Sequence, residues 1–335
     1  MKPYLVDTFI NSSYFMSKVK DFVRNWTLPI AMISGALLYF AFAAMPLSIE
    51  AQDQTYAFVS GYLQPVLLFS MLFLNFIKVR PREMRPRRWH LWVLLMQASL
   101  FTACSLLAMW FDADHGVKIL CEGAMLAFIC PTATASAVIV GKLKGSISGI
   151  VTYIMLCNLM VSVLAPALLP LVEPGIGLDF MTSFLMILGK VFPLLIFPLL
   201  TAWAVRYGLP RLHRWLLQYP DLSFYVWSVA LALAITVTVR SIMHSTVSVW
   251  YMVGLAVISG ICCVIQFVLG KRVGSCYDRK TRITAGQAFG QKNTVFVIWL
   301  GLVFLDPVTS VIGGFYSVWH NTVNSYQLYK ARKRQ

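Results

Sequence analysis

Long apolar runs recur ten times along this chain, and that repetition settles the solvent in which it folds. They fall at 26–46, 57–77, 89–111, 119–140, 146–172, 184–205, 224–239, 250–269, 283–305 and 307–328. A helix of about 20 residues crosses the ~30 Å hydrocarbon layer of a bilayer, where each backbone polar group must find its partner within the protein. A chain that is 59% hydrophobic and 12% charged, with a mean hydropathy of +0.71, carries more apolar surface than one water-surrounded core can hide. The expected fold class is all-α, a polytopic, multi-pass membrane protein of about ten transmembrane helices.

The formal net charge of +15 would suit nucleic acid if the basic residues formed one stripe, and they do not. They cluster in alternate connections. Lys18, Lys20 and Arg24 precede the first span; Lys78, Arg80, Arg82, Arg85, Arg87 and Arg88 follow the second; Lys142 and Lys144 follow the fourth. Arg206, Arg211 and Arg214 follow the sixth, and Lys271, Arg272, Arg279, Lys280 and Arg282 the eighth; Lys330, Arg332, Lys333 and Arg334 close the chain. The other connections hold Glu50 and Asp53, Asp112 and Asp114, Glu173 and Asp179, Arg240 alone, then Asp306. Short basic loops stay cytoplasmic. Both termini are therefore expected inside, with the chain in the cell (inner) membrane and no nucleic-acid partner. Trp26, Trp89, Trp110 and Trp250 sit near span ends, where an aromatic belt would place them.

Three regions are expected. Residues 1–25 form a cytoplasmic or interfacial segment without the pattern of a signal peptide; Phe9, Ile10, Phe15, Met16, Val19, Phe22 and Val23 follow helical spacing among basic residues, as an amphipathic surface helix would. Residues 26–328 form the transmembrane domain, and 329–335 a basic tail. The seven cysteines lie mostly inside apolar runs without metal-ligand spacing, so neither a disulfide framework nor a zinc site is expected. The halves echo each other weakly, Pro29 in span one with Pro193 in span six, Gln97 in span three with Gln266 in span eight. With five spans in each half, such a repeat is inverted in the membrane, as in many secondary transporters.

Spans four, nine and ten carry the candidate chemistry. Span four reads AMLAFICPTATASAVIVGKLKG, and Pro131 should break it, because proline removes a donor and clashes with the preceding turn. A half-helix restarting near Thr134 would aim free N–H groups at an anion. Span nine holds Gly286, Gln287, Gly290, Gln291, Lys292, Asn293 and Thr294. A lysine at membrane depth costs roughly 2.5–3.5 kcal/mol on insertion scales. Lys292 is therefore the leading functional residue; the alternative is a shallower segment from which it snorkels to the headgroups. Span ten places Ser317, His320 and Asn321 in an apolar run, as site residues or as interhelical hydrogen-bonders. Gln97 stands open between those same two roles, and Lys190 reads as a snorkelling residue near the outer surface.

These segments resemble the bile acid:sodium symporter family over nearly the whole transmembrane region. Cys130 to Ser136 looks like the family's CPGGTAS signature in a broken fourth helix, Gln291-Lys292-Asn293-Thr294 like a variant of its QNS segment in a broken ninth, and Ser317 to Asn321 like its SVWHN run. Gln97 falls where the family has a third-helix glutamine. The resemblance implies a 5+5 inverted repeat with discontinuous helices 4 and 9 crossing near the midplane, a core of helices 3, 4, 5, 8, 9 and 10, and a panel of helices 1, 2, 6 and 7. It also implies alternating-access transport of a small organic anion, bile-acid-like or a small carboxylate. Thr134, Ser136, Lys292, Asn293, His320 and Asn321 would line the substrate cavity; Gln97, Gln287, Gln291 and Lys292 are the ion-site or counter-ion candidates.

The departures from the family's pattern concern sodium. Ala137 follows Ser136 where the family has asparagine, Ile150 and Ile154 stand near its helix-five hydroxyls, and Gln287 or Ala288 takes the place of its helix-nine glutamate. Hard cations favour carboxylate oxygens. No cofactor is expected, sodium coupling is expected to be weakened or absent, and Lys292 would serve as a built-in counter-ion for the anion, or couple to protons. The oligomeric state does not follow from the sequence. No nucleophile with a base, paired aspartates or His-Glu metal motif occurs at a recognisable spacing, so an enzyme is not expected. A sodium-independent or proton-coupled carrier of another metabolite, a channel, a ligand sensor, and an arsenite-type carrier using Cys130 are the other readings.

Overall fold

A computed structural model describes residues 29–174 and 178–333. The amphipathic helix expected before residue 26 and the start of span one lie outside them. The described residues are helical, with one isolated β-bridge and no strand. Among the described residues six helices are long and apolar enough to cross a bilayer: α2 (Ile49–Phe76), α3 (Arg88–Trp110), α6 (Ile147–Val172), α7 (Phe180–Gly208), α9 (Leu222–Met243) and α10 (Val249–Ser275). This is an integral, polytopic membrane protein in its helical architecture. The remaining elements are α1 (Pro29–Ala43), α4 (His115–Ile129), α5 (Ser136–Lys142), α8 (Pro210–Leu217), α11 (Arg279–Gly290), α12 (Thr294–Phe304) and α13 (Val311–Arg332).

Local chemistry fixes several boundaries. Helix α2 begins two turns before the expected span, so Glu50 and Asp53 lie in its first turns and not in a loop. Ser48 explains this: its hydroxyl accepts from Ala51 N, and Glu50 suits the positive end of the helix. Within α2 one π-turn, Val59–Leu63, absorbs the missing donor of Pro65 by a wider bond from Gln64 N to Val59 O. The π-turn leaves Ser60 O free, and Trp299 Nε1 of α12 donates to it at 3.1 Å. Helix α11 is polar for a buried helix; Asp278 caps it by accepting from Thr281 N at 2.7 Å and Thr281 Oγ1 at 2.9 Å. Those hydrogen bonds hold the Asp278 carboxyl below the usual carboxylate range.

Packing separates two groups of helices. α2 lies between α7 and α9, while α3, α4, α6, α10, α11 and α13 pack among themselves, and α6 also meets α7. The closest pair is α10 with α11. A Cβ on Gly270 would stand 2.4 Å from Ala285 O, and one on Gly274 2.5 Å from Arg282 Cα, so these glycines set the separation of the two backbones. Prolines do not break every helix they enter: Pro166 and Pro170 in α6 and Pro193 and Pro198 in α7 leave both continuous.

Candidate functional site

The two interrupted runs meet. Between α4 and α5 the chain is non-helical around Pro131 to Ala133 and turns at Thr134 and Ala135, and between α11 and α12 it is non-helical around Gln291 to Asn293. The breaks lie antiparallel, with Thr132 opposite Lys292 in the one β-bridge among the described residues. Ala133 N donates to Gln291 O at 3.2 Å and Asn293 N to Pro131 O at 2.8 Å. Thr132 Oγ1 donates to Ala288 O at 2.6 Å, and the Cys130 thiol to Asn293 O at 3.2 Å. Backbone that would be orphaned in an apolar interior is thus satisfied by the other break.

The end of α4 is the most heavily supported point of the crossing. A helix leaves its last four carbonyls without partners and its C-terminus partly negative. Here each has a side-chain donor. Gln266 Nε2 reaches Ala127 O at 3.2 Å; Lys292 Nζ reaches Phe128 O at 3.5 Å and Cys130 O at 3.0 Å; Gln97 Nε2 reaches Ile129 O at 3.3 Å and Cys130 O at 3.1 Å. Gln97 is held in turn, its Oε1 accepting from Tyr153 OH at 2.9 Å. At the end of α11, Tyr316 OH donates to Gly290 O at 3.0 Å. Lys292 is 1% exposed and lies 5.1 Å from the Phe289 ring centroid. It does not snorkel, and its hydrogen-bonding partners are neutral carbonyls.

The other expected site residues divide around this centre. Gln97 and Lys292 come together, but Gln291 and Gln287 point away in an amide chain, Gln291 Nε2 to Gln287 Oε1 at 2.7 Å and Gln287 Nε2 to Gln327 Oε1 at 3.1 Å. Asn293 caps α12. The Thr294 and Ser317 hydroxyls share a hydrogen bond that ties α12 to α13. His320 is buried against the edge of Tyr316, with Nδ1 unpartnered among the described residues; Asn321 is half-buried and donates back to Ser317 O. Ser136 is buried, and among the described residues its hydroxyl has no hydrogen-bond partner. Lys190 is exposed on α7, 5.6 Å from the Phe304 ring centroid.

A cavity of about 190 Å³ opens between the end of α2, the span-four break with α5, and α6, at the end of the bundle bearing the basic loops. Asn75, Lys78, Thr134, Ser148, Val151 and Ile154 are among its walls. Thr134 alone of the six expected cavity residues lines it, and Asn75 Nδ2 donates to Thr134 Oγ1 at 2.7 Å, joining α2 to the crossing. A cavity of about 350 Å³ opens at the opposite end, beside His115, Arg240, His244 and Asp306.

The half-helix restarts close to Thr134 as α5, seven residues long from Ser136, and the amides of Ser136 and Ala137 bond to Ala133 O and Thr134 O. The ammonium of Lys292 and the amide of Gln97 together fill the Cys130 carbonyl at the end of α4. One residue escaped sequence reasoning altogether. Glu122 is 0% exposed inside α4, although a carboxylate within ILCEGAMLAFI was signal enough. No protein-family model matches the chain, and no curated protein sequence matches it.

Proposed function

We propose that this protein is a secondary carrier for an organic anion, with the Lys292 ammonium built in at a helix end that would otherwise call for a mobile cation. The observation that carries the reading is the crossing itself: two chain breaks from distant parts of the sequence complete each other's hydrogen bonds beside a cavity that reaches Thr134. Irregular backbone inside an apolar bundle is sustained where it is buried in protein or lines a wet cavity, and transporters with inverted repeats place their substrate sites at such breaks. The ten-span inverted repeat, with α4–α5 and α11–α12 as its broken members, belongs to this reading, as does the likeness to the bile acid:sodium symporters.

Charge favours an anion. Lys292 is hydrogen-bonded to neutral carbonyls only, so its protonated form places a positive charge beside the crossing, and an anion in a low-dielectric setting is the ligand that charge stabilises most. Lys78 stands at the cavity mouth, partly engaged by Pro220 O at 2.8 Å. With the basic loops in the cytoplasm, that cavity faces inward, and alternating access would close it by moving α2 and α7 against α5 and α6. Asn75 and Thr134 form one polar contact that such a motion must break.

Reconstituted in liposomes without sodium, the protein is expected to take up labelled cholate or pyruvate with saturable kinetics and to exchange it against internal substrate. Uptake with a strict sodium requirement would overturn the role given to Lys292. Flux without saturation or counterflow would favour a channel.

A further inference from the structure

The end of the bundle opposite the cavity at Thr134 holds a charge cluster that the crossing does not use. Lys118 of α4 pairs with Asp112 at 2.7 Å and with Glu173, just past α6, at 2.7 Å. One turn further into the protein on the same helix face is Glu122. It is 0% exposed, and neither carboxyl oxygen has a hydrogen-bond partner among the described residues. Solvent access falls stepwise along the set: the side chains of Asp112, Glu173 and Lys118 are 69%, 36% and 9% exposed, and Glu122 ends the series.

The charged and titratable groups facing Glu122 come from four elements. Lys118 and Cys121 are on its own helix; Glu173 comes from the end of α6, Asp306 from the turn after α12, and Asp112 from the turn before α4 through Lys118. Asp306 pairs with His115 at 3.4 Å, and Tyr251 of α10 packs on Gly116. Among the described residues Lys118 is the one cation directly among three carboxylates, and it is already shared by two of them. An ionised Glu122 would be a buried charge whose nearest cation is already engaged by two other carboxylates, and proteins avoid such a charge by taking up a proton. Glu122 precedes Cys130 by eight residues, roughly 12 Å at a rise of ~1.5 Å per residue, and α4 is the helix whose far end Lys292 and Gln97 hold.

We propose that Glu122 is a proton-binding site that couples the carrier to a proton gradient. The proton arrives from water on the Asp112 side and converts the Glu122 carboxylate to a carboxylic acid. It leaves as the same carboxylate reforms after α4 has moved, so one proton accompanies each anion and no other reactant is consumed. The coupling half of this assignment rests on the carrier reading; the protonation half does not.

Two measurements separate them. Infrared difference spectra of the reconstituted protein across a pH titration should show a protonated-carboxyl stretch that is lost in Glu122→Gln and shifted in Glu122→Asp, with both variants checked for monodispersity. Absence of a band assignable to residue 122 overturns the site, whatever transport does. In liposomes, an acid pulse outside should raise cholate or pyruvate uptake several-fold, and Glu122→Gln should abolish that response while Glu122→Asp retains part of it. A response undiminished in Glu122→Gln overturns the coupling. A titrating band with no uptake of either probe upholds the proton site and counts against the carrier reading.

Discussion

Lys118 and Lys292 are both buried, at opposite ends of the same half-helix, and they are neutralised in opposite ways. Lys118, near the start of α4, is held by two carboxylates that reach toward solvent. Lys292, at the end of α4, is held by two backbone carbonyls and an aromatic ring, with no carboxylate among its hydrogen-bond partners. The carbonyls suffice because a helix end concentrates partial negative charge, and because a hydrogen bond to a charged group is worth about twice a neutral one. A side-chain pairing costs mobility and is open to salt; a helix-end pairing is fixed by the fold. The first arrangement suits groups that exchange protons and partners, the second a permanent part of the scaffold.

Removing the scaffold lysine should do the most damage. Lys292→Met leaves Phe128 O without a side-chain donor and Cys130 O with Gln97 alone, and two charged hydrogen bonds at roughly 1.5–3 kcal/mol each put the loss at about 3 kcal/mol or more. Thermal unfolding in detergent should show a larger fall than in Lys118→Met or Glu122→Gln, with uptake lost. Lys292→Gln sharpens the comparison, since it keeps a donor and removes the charge. Sodium should then raise the melting temperature of the variant and leave the native protein unchanged. Equal sodium response in both would show that the ammonium does not stand where a cation would bind.

Removing the peripheral lysine should cost less. Lys118→Met releases Asp112, which simply hydrates, and Glu173, whose one-third exposure lets water take over its partner's place; a screened pair of the Glu173 kind is worth about 1 kcal/mol or less. The Asp112 carboxyl, held below the usual range by its hydrogen bond to Lys118, should return toward its ordinary value. Because that carboxyl is depressed in the folded state, its contribution to stability is present at neutral pH and fades as pH falls through the acidic range. A pH series of melting temperatures should therefore be flatter on the acid side in Lys118→Met than in the native protein. A stability loss as large as that of Lys292→Met would erase the distinction.

The two lysines also mark what a sequence discloses. Pro131 with its hydroxylated neighbours, and the Gly-Gln-Lys-Asn run of span nine, announce interrupted helices because proline and glycine act on the local backbone. Six of the ten apolar runs appear as long apolar helices for equally local reasons. What Lys292 touches is not local. Its partners are backbone carbonyls 162 and 164 residues away, and a carbonyl has no sequence signature. The sequence therefore suggests the lysine's charge and depth, while its hold on a helix end emerges only in the fold. The Gln97 and Gln266 pair shows the same limit: the repeat makes them look equivalent, yet both donate to the end of α4, and Gln266 reaches α11 only through Tyr316. Glu122 is the opposite case, legible as a carboxylate inside span four, with only its lack of a partner hidden until the fold is known.

Salt offers the smallest effect and the cleanest separation. Raising ionic strength from low to about 0.15 M shortens the screening length to ~8 Å, which weakens an ion pair whose carboxylates stand in water and barely alters one enclosed by protein. The native melting temperature should fall slightly with added choline chloride, and the fall should vanish in Lys118→Met. In a variant that keeps Lys118 but carries Lys292→Gln the same small fall should persist, because the helix-end contact never contributed to it. If the salt response followed residue 292 instead, water would have to reach the crossing, and the buried ammonium would be better described as lining the transport path than as supporting it.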